Sequence, residues 1–269
     1  MVREQILVFD GYCRVCINLI KLINITGLFP ADKCISYYQL SPDLKSLIDE
    51  DRFKNEMAFL DPSDGVLYGP IGIKKAIGSN TGFFNAVINI PFIFSVFIFI
   101  YKIIAYNRYV ILLPEQAALE CDCGPDKDRK YRNYYFFILA VLNLGVLAAA
   151  LKIAGLEGEW FWLNLLVFPL LYIMTLGSYK ILYPNTYHFD LRQHSITSLF
   201  YAFTTGMLIQ WPISLLIKQY DLIPLFLSVS GIVFFTLYRS RINFLQLKLT
   251  FVYVALFFMF LIPFFLLLF

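Results

Sequence analysis

The sequence predicts two unlike halves: an α/β domain in front and an all-α bundle of membrane-spanning helices behind it. Three observations carry this. Hydrophobic residues make up 59% of the 269 and charged residues only 15%, far from a soluble balance. The apolar residues gather into long runs after Tyr134, each near the ~20 residues that a helix needs to cross a bilayer. Before Tyr134 the runs are shorter and more polar, and strand-like stretches alternate with helix-like ones.

Composition also excludes. A net charge of +3 is too small to argue for nucleic acid, and the basic residues form no aromatic-interleaved patch, so no nucleic-acid partner is expected. Five cysteines are too few for a secreted disulfide scaffold. Met1–Gln5 leads straight into a short strand, whose apolar run is too short for a signal peptide and is not followed by a small-residue cleavage site.

The chain opens with a strand, Ile6-Leu7-Val8-Phe9, which meets an Asp10-Gly11 turn. Cys13-Arg14-Val15-Cys16 then begins a helix. In that helix Val15, Leu19 and Leu22 share one face and Arg14, Asn18 and Lys21 another. Gly27 sits where a C-cap belongs, and Pro30 follows. Two cysteines in the first turn of a helix after a strand have the geometry of dithiol redox chemistry. The open N–H groups and the positive end of the helix dipole favour a thiolate. Cys13, nearer that end and expected to be the more exposed, reads as the nucleophile, and Cys16 as the resolving thiol. Arg14 between them adds positive charge. The plainer alternative is a pair of small buried residues at a helix start. Asp10 reads either as a proton acceptor for Cys16 or as a cap and turn former. Tyr12 either shields the sulfur pair or simply packs.

Cys34–Leu40 is the second strand, with Cys34 packing at a strand edge. Ser41-Pro42-Asp43 starts a helix with proline at its first position. Asp49-Glu50-Asp51-Arg52 is polar and solvated. Met57–Leu60 and Val66–Tyr68 flank Asp61-Pro62-Ser63-Asp64-Gly65, a hairpin loop with strong turn chemistry. Gly69-Pro70 begins another helix. The order βαβαββα suits a small α/β layer with the dithiol at a strand end.

Asp10-Gly11-Tyr12-Cys13-Arg14-Val15-Cys16 resembles the D-G-x-C-x-x-C signature of the DCC family of predicted thiol-disulfide oxidoreductases. Pro91, Tyr101, Ala105, Asn107, Arg108 and Tyr109 are similar to that family's P…Y…A-x-N-R-Y segment. The resemblance covers about the first half of the chain. It implies a thioredoxin-like fold for residues 1–125 and activity by dithiol/disulfide exchange, with Cys13, Cys16 and Asp10 as the catalytic set. It also implies that 83–106 is a helical hairpin broken at Pro91. One departure stands out. Thioredoxin-like enzymes place a cis-proline facing the dithiol, just before the third strand; here that position is near Glu56-Met57 and has no proline. The contact that holds a peptide backbone in such folds is therefore not expected, and the substrate need not be a generic unfolded protein.

Phe83–Ala105 approaches a transmembrane helix in length and apolarity. If it crossed, Arg108, Lys127, Arg129, Lys130 and Arg132 would lie outside, against the positive-inside rule. It therefore reads as a hairpin apposed to the membrane. Residues 126–133 form a charged linker. Five spans follow, at about 134–154, 160–183, 195–217, 222–238 and 249–268. Basic and acidic connections alternate between them, which places the front domain in the cytoplasm and Phe269 outside a bacterial cytoplasmic membrane. Trp160, Trp162, Tyr172, Tyr183 and Trp211 fall at or near span ends, where aromatic belts form.

Glu120-Cys121-Asp122-Cys123-Gly124 is a second cysteine cluster. Cys121 and Cys123 can relay electrons to the first pair, join it in a four-thiol zinc site, or be a bland surface pair; metal is not the favoured reading. Tyr187–His194 holds the chain's only two histidines, His188 and His194, which can serve a metal, a proton shuttle or solvation alone. No cofactor is expected beyond the redox-active cysteines. A quinone can accept their electrons, but no residue in the spans marks a site for one. The partners expected are membrane lipid and a protein thiol or disulfide. The rival reading is a membrane scaffold, transport or lipid-handling protein whose front domain docks a partner; whether both thiols are needed separates the two.

Overall fold

The computed structural model describes residues 4–78, 82–115, 124–182, 188–215 and 222–244. The protein is mostly helical with a small mixed sheet, and the chain divides into two compact units, Met1–Tyr135 and Phe136–Phe269. In the first unit β1 (Ile6–Phe9) leads into α1 (Arg14–Thr26) and β2 (Cys34–Ser36). Two short helices follow, α2 (Pro42–Lys45) and α3 (Glu50–Phe53), and then the hairpin β3 (Ala58–Asp61) and β4 (Gly65–Tyr68). Three helices complete it: α4 (Gly69–Gly78), α5 (Gly82–Ile88) and α6 (Pro91–Ile111). The sheet order is β2-β1-β3-β4, with β1 parallel to β2 and antiparallel to β3, and β3 antiparallel to β4.

Side chains alternate across a strand, so β1 feeds two cores. Leu7 joins Phe59, Ile20, Ile23, Ile73 and Ile77 on the face covered by α1 and α4, where Phe97 and Tyr101 of α6 also pack. Val8 joins Ala58, Leu60, Leu40, Ile48 and Phe53 on the other. With both its faces covered, β1 holds its C-terminal end, Asp10 onward, in a fixed position.

Several local expectations match the structure. Gly27 caps α1 at φ 66°, where its N–H donates to Asn24 O at 3.2 Å. Asp61 closes the hairpin by accepting from the backbone N–H of Ser63 (2.8 Å) and Asp64 (3.2 Å). Pro91 lies in the first turn of α6, where a missing N–H costs nothing. Two expectations are corrected. The buried stripe of α1 is Cys16, Ile20 and Ile23, not Val15, Leu19 and Leu22; Leu22 is 56% exposed. Both stripes have helical spacing, and packing on β1 selects between them. The second strand ends at Ser36 rather than Leu40, and Tyr37–Gln39 is a 3-10 turn. Leaving the ladder lets Tyr37 stack on Phe53 (4.7 Å) and Tyr38 on Tyr12 (4.1 Å).

The glycine of the Asp-Gly turn is fixed by β2. A Cβ on Gly11 would overlap Ser36 Oγ. Gly11→Ala is therefore expected to cost about 1–3 kcal/mol of unfolding free energy, the usual scale for overpacking. Adding Ser36→Gly should recover part of it. A double variant as unstable as the single one, by denaturant midpoint, would show that the close approach is not the cause.

Helix α6 runs to Ile111, past the expected end of the hairpin. Its second half buries Ile103, Ala105, Asn107, Arg108 and Val110 in the first unit, while near its start Phe92 is 76% exposed. Helix α7 (Arg129–Ile153) begins inside the stretch expected to be linker, with Asp128 Oδ1 accepting from Lys130 N–H at 2.8 Å. Helices α8 (Gly158–Leu182), α9 (His188–Ser214) and α10 (Leu222–Phe244) follow. Among the described residues, Pro91–Ile111, Arg129–Ile153 and Pro224–Asn243 are long and apolar enough to cross a membrane. The polar connection expected up to His194 is helical from His188 on, and Asp190, Gln193 and His194 are buried rather than solvated. The fifth expected span, 249–268, lies outside the described residues.

Candidate dithiol site

The candidate site is built where β1 ends. Asp10 Oδ1 accepts from Tyr12 N–H at 3.0 Å, and Asp10 O accepts from Cys13 N–H at 3.2 Å. This Asx turn delivers Cys13 as the N-cap of α1, at φ −86° and ψ 108°. Cys13 Sγ accepts from Cys16 N–H at 3.4 Å. Sulfur thus takes the place that a serine or aspartate oxygen usually holds at a helix start. A charged sulfur is the better acceptor there, and the helix dipole favours it further.

The two thiols are driven apart. Cys13 is held below the ordinary cysteine value, first by the hydrogen bond from the Cys16 side chain and then, against the cost of burial, by the charge of Arg108. Cys16 is held well above it, first by donating that hydrogen bond and then by burial. Of the two, Cys13 is the sulfur that gives up its proton more readily and Cys16 the one that keeps it.

The cation beside the pair is not Arg14, which is exposed. It is Arg108 of α6, whose Nη2 lies 3.3 Å from Asp10 Oδ2 with both side chains buried. Tyr109 OH donates to the same oxygen at 3.1 Å. A buried charge acts at low dielectric, whereas an exposed one is screened. The carboxylate oxygens of Asp10 are thereby engaged by Tyr12, Arg108 and Tyr109, an arrangement that fixes the turn and the guanidinium.

Cys13 was expected to be the more exposed thiol, and that is corrected: Cys13 is 0% exposed and Cys16 7%. The end of α6 and the chain after it fold onto the turn. Tyr109 reaches Asp10, and Glu115 N–H donates to Tyr12 O at 3.1 Å. A reagent can reach the Cys13 sulfur only if the chain packed around it moves.

Cys121 and Cys123 lie outside the described residues. No group of three or more His, Cys, Asp or Glu able to hold a metal occurs among the described residues. Cys34 sits in the edge strand β2 with its Sγ 3.8 Å from Asn24 Oδ1; burial, and then the charge of Asp32, push its thiol up to about 11, so it is a poor nucleophile.

Arg108 borders two cavities. One, about 210 Å³, is lined by Asp10, Tyr37, Tyr38, Glu50 and Lys54 as well. The other, about 220 Å³, lies against α1 and α6 and takes its wall from Cys16, Leu19, Ile73, Phe97 and Tyr101. The residue before β3, Met57, has both backbone groups engaged: its N–H donates to Tyr101 OH at 3.0 Å, and its C=O accepts from Gly69 N–H at 2.8 Å. Sequence reasoning assigned no role to Arg108 or Tyr101, although both stand in the second motif; nothing local to that motif says that it folds against the first.

The second unit holds its own cavity, about 340 Å³, lined by Asn143, Pro169, Tyr172, Arg192 and Phe203. Nearby in the chain, the buried His194 Nδ1 lies 3.1 Å from Arg241 Nη1.

No family model matches the chain, and no curated protein or solved structure matches it.

Proposed function

We propose that the protein is a membrane-anchored thiol-disulfide oxidoreductase working through Cys13 and Cys16. The carrying observation is the placing of two free cysteines across the first turn of α1, with Cys13 Sγ as the helix cap at 3.4 Å from Cys16 N and the buried Arg108–Asp10 pair beside them; the opposite directions of their thiol shifts agree with it. The Cys13 thiolate attacks one sulfur of a substrate disulfide; the S–S bond breaks, a mixed disulfide forms, and the other substrate sulfur leaves as a thiolate that takes a proton. Cys16 then gives up its proton and attacks the Cys13 sulfur, so the internal disulfide forms and the second substrate thiol leaves.

The sheet order, with the dithiol between a central strand and the helix that crosses to a parallel neighbour, supports a thioredoxin-like reading of the first unit. Arg129–Ile153 and Pro224–Asn243, both apolar and of spanning length, support the membrane anchor. The burial of the second half of α6, Arg108 included, favours a membrane-apposed helix over a crossing one, and the alternation of basic and acidic connections favours a cytoplasmic front domain at a bacterial inner membrane. Because the Met57 backbone is already engaged, an extended peptide finds no open ladder position there, which favours a compact partner. The rival reading, a lipid-handling protein, draws on the apolar cavity of the second unit.

The test uses the full chain, reduced, in detergent. Hydroxyethyl disulfide should close Cys13 to Cys16, read by peptide mass mapping. Iodoacetamide should label Cys13 with a midpoint below the ~8.5 of free cysteine and leave Cys16 unlabelled. The sign follows from the shift: a lowered thiol pKa keeps thiolate, and hence reactivity, at pH values where free cysteine is protonated. No internal disulfide, or a Cys13 midpoint at or above the free value, would sink the proposal.

A further inference from the structure

The dithiol borders an apolar chamber that exchange with a soluble disulfide does not use. Cys16, Leu19, Ile73, Phe97 and Tyr101 wall it, and Arg108 borders it on the Asp10 side. Its about 220 Å³ suits a single substituted ring; sites for drug-sized ligands begin at about 300 Å³. Leu22, Ile100 and Ile104 also line it, and all three are solvent-exposed in the first unit, so the chamber meets an apolar outer surface. Ile25, Val96 and Phe99 of the same two helices are exposed as well. Large exposed apolar residues mark a contact with lipid or a partner, and α6 is itself apolar enough for a bilayer, so this rim suits a ligand that is soluble in lipid.

We infer that this chamber binds the ring of a lipid-soluble quinone, which accepts the electrons of the Cys13–Cys16 dithiol. The inference rests on the exchange reading above and names its electron acceptor. The chemistry balances. The Cys16 S–H bond breaks and one S–S bond forms between the Cys13 thiolate and Cys16, releasing two electrons and one proton. The quinone takes up both electrons, that proton on one carbonyl oxygen and a second proton from water on the other, and becomes the quinol. Cys16, the sulfur on the chamber wall, is kept protonated in the folded protein, so it carries a proton to the ring along with the electrons. The buried guanidinium of Arg108 stabilises negative charge developing on a ring oxygen. A saturated acyl chain would fit the walls but offers no acceptor and leaves the thiols unchanged.

The probe is decylubiquinone, whose fully substituted ring does not arylate thiols. It is added to the reduced full chain in lipid nanodiscs, with quinol formation and the Cys13–Cys16 disulfide measured together. One quinol per disulfide is expected. Leu19→Trp fills the chamber, and Ile104→Trp obstructs its exposed rim without touching the core. Each should slow quinone reduction by about tenfold or more while closure by hydroxyethyl disulfide keeps its wild-type rate. If Leu19→Trp fails to fold, Ile104→Trp carries the test. Closure by hydroxyethyl disulfide with no quinol, or unimpeded quinone reduction in the rim variant, would overturn the chamber as acceptor site and leave the exchange reading standing. Failure of both oxidants to close the pair would overturn the exchange reading, and the acceptor site with it.

Discussion

Arg108→Leu is expected to destabilise the first unit by about 3–5 kcal/mol, because it leaves the Asp10 carboxylate buried without its cation. It should also move the Cys13 thiol upward, since the guanidinium is among the causes that hold it down. Labelling of Cys13 at neutral pH then slows, and its midpoint shifts to higher pH. Asp10→Asn makes a sharper comparison. It too removes half of a buried pair, so stability falls again, but the Asp10 charge raises both thiols, so its loss should move the Cys13 midpoint down. Two variants with the same sign in stability and opposite signs in reactivity separate electrostatics from unfolding. The double variant Asp10→Asn with Arg108→Leu should lose less than the two single losses together, because neither charge is left stranded. A Cys13 midpoint unmoved by Arg108→Leu would remove Arg108 from the site's chemistry.

What the sequence disclosed was what local chemistry decides. Gly27 ends α1, Asp61–Gly65 turns the hairpin and Pro91 starts α6 because each depends on a neighbour within a few residues. The cysteine pair at a helix start was legible for the same reason. The contacts that tie down the Asp10–Tyr12 turn were not, because they are made by Tyr109 and Glu115, about a hundred residues further on. The cation was misplaced on Arg14 because adjacency in sequence is not adjacency in space, and the side chain that does the work arrives from α6. Helix α1 shows the limit of periodicity. Val15-Leu19-Leu22 and Cys16-Ile20-Ile23 fit a helix equally well, and only the position of β1 decides that the second stripe is core. The first stripe is not idle: Val15, Leu19 and Leu22 all line the apolar chamber. In the second unit, polar residues of α9 read as loop because polarity usually means solvent; there Asp190, Gln193 and His194 are buried instead.

The largest effect is expected at the sulfurs themselves. Cys13→Ser should reduce exchange to the uncatalysed background, a loss of at least about a thousandfold, as removal of a nucleophile does. Cys16 cannot substitute, because it is held as a thiol and sits further from the helix start. Cys16→Ser should behave differently. Cys13 can still attack, but nothing resolves the product, so the mixed disulfide accumulates and its partner can be identified by mass. The hydrogen bond from position 16 is the chief cause of the lowered Cys13 thiol, and a serine hydroxyl can still donate it. Cys16→Ala cannot. The serine variant should therefore trap its partner faster at neutral pH than the alanine variant, although both lack the resolving sulfur. Equal trapping rates would show that the Cys16 side chain does not activate Cys13. Multiple turnover by Cys16→Ser, with no adduct formed, would show that the second thiol is not part of the cycle and would return the pair to plain core packing.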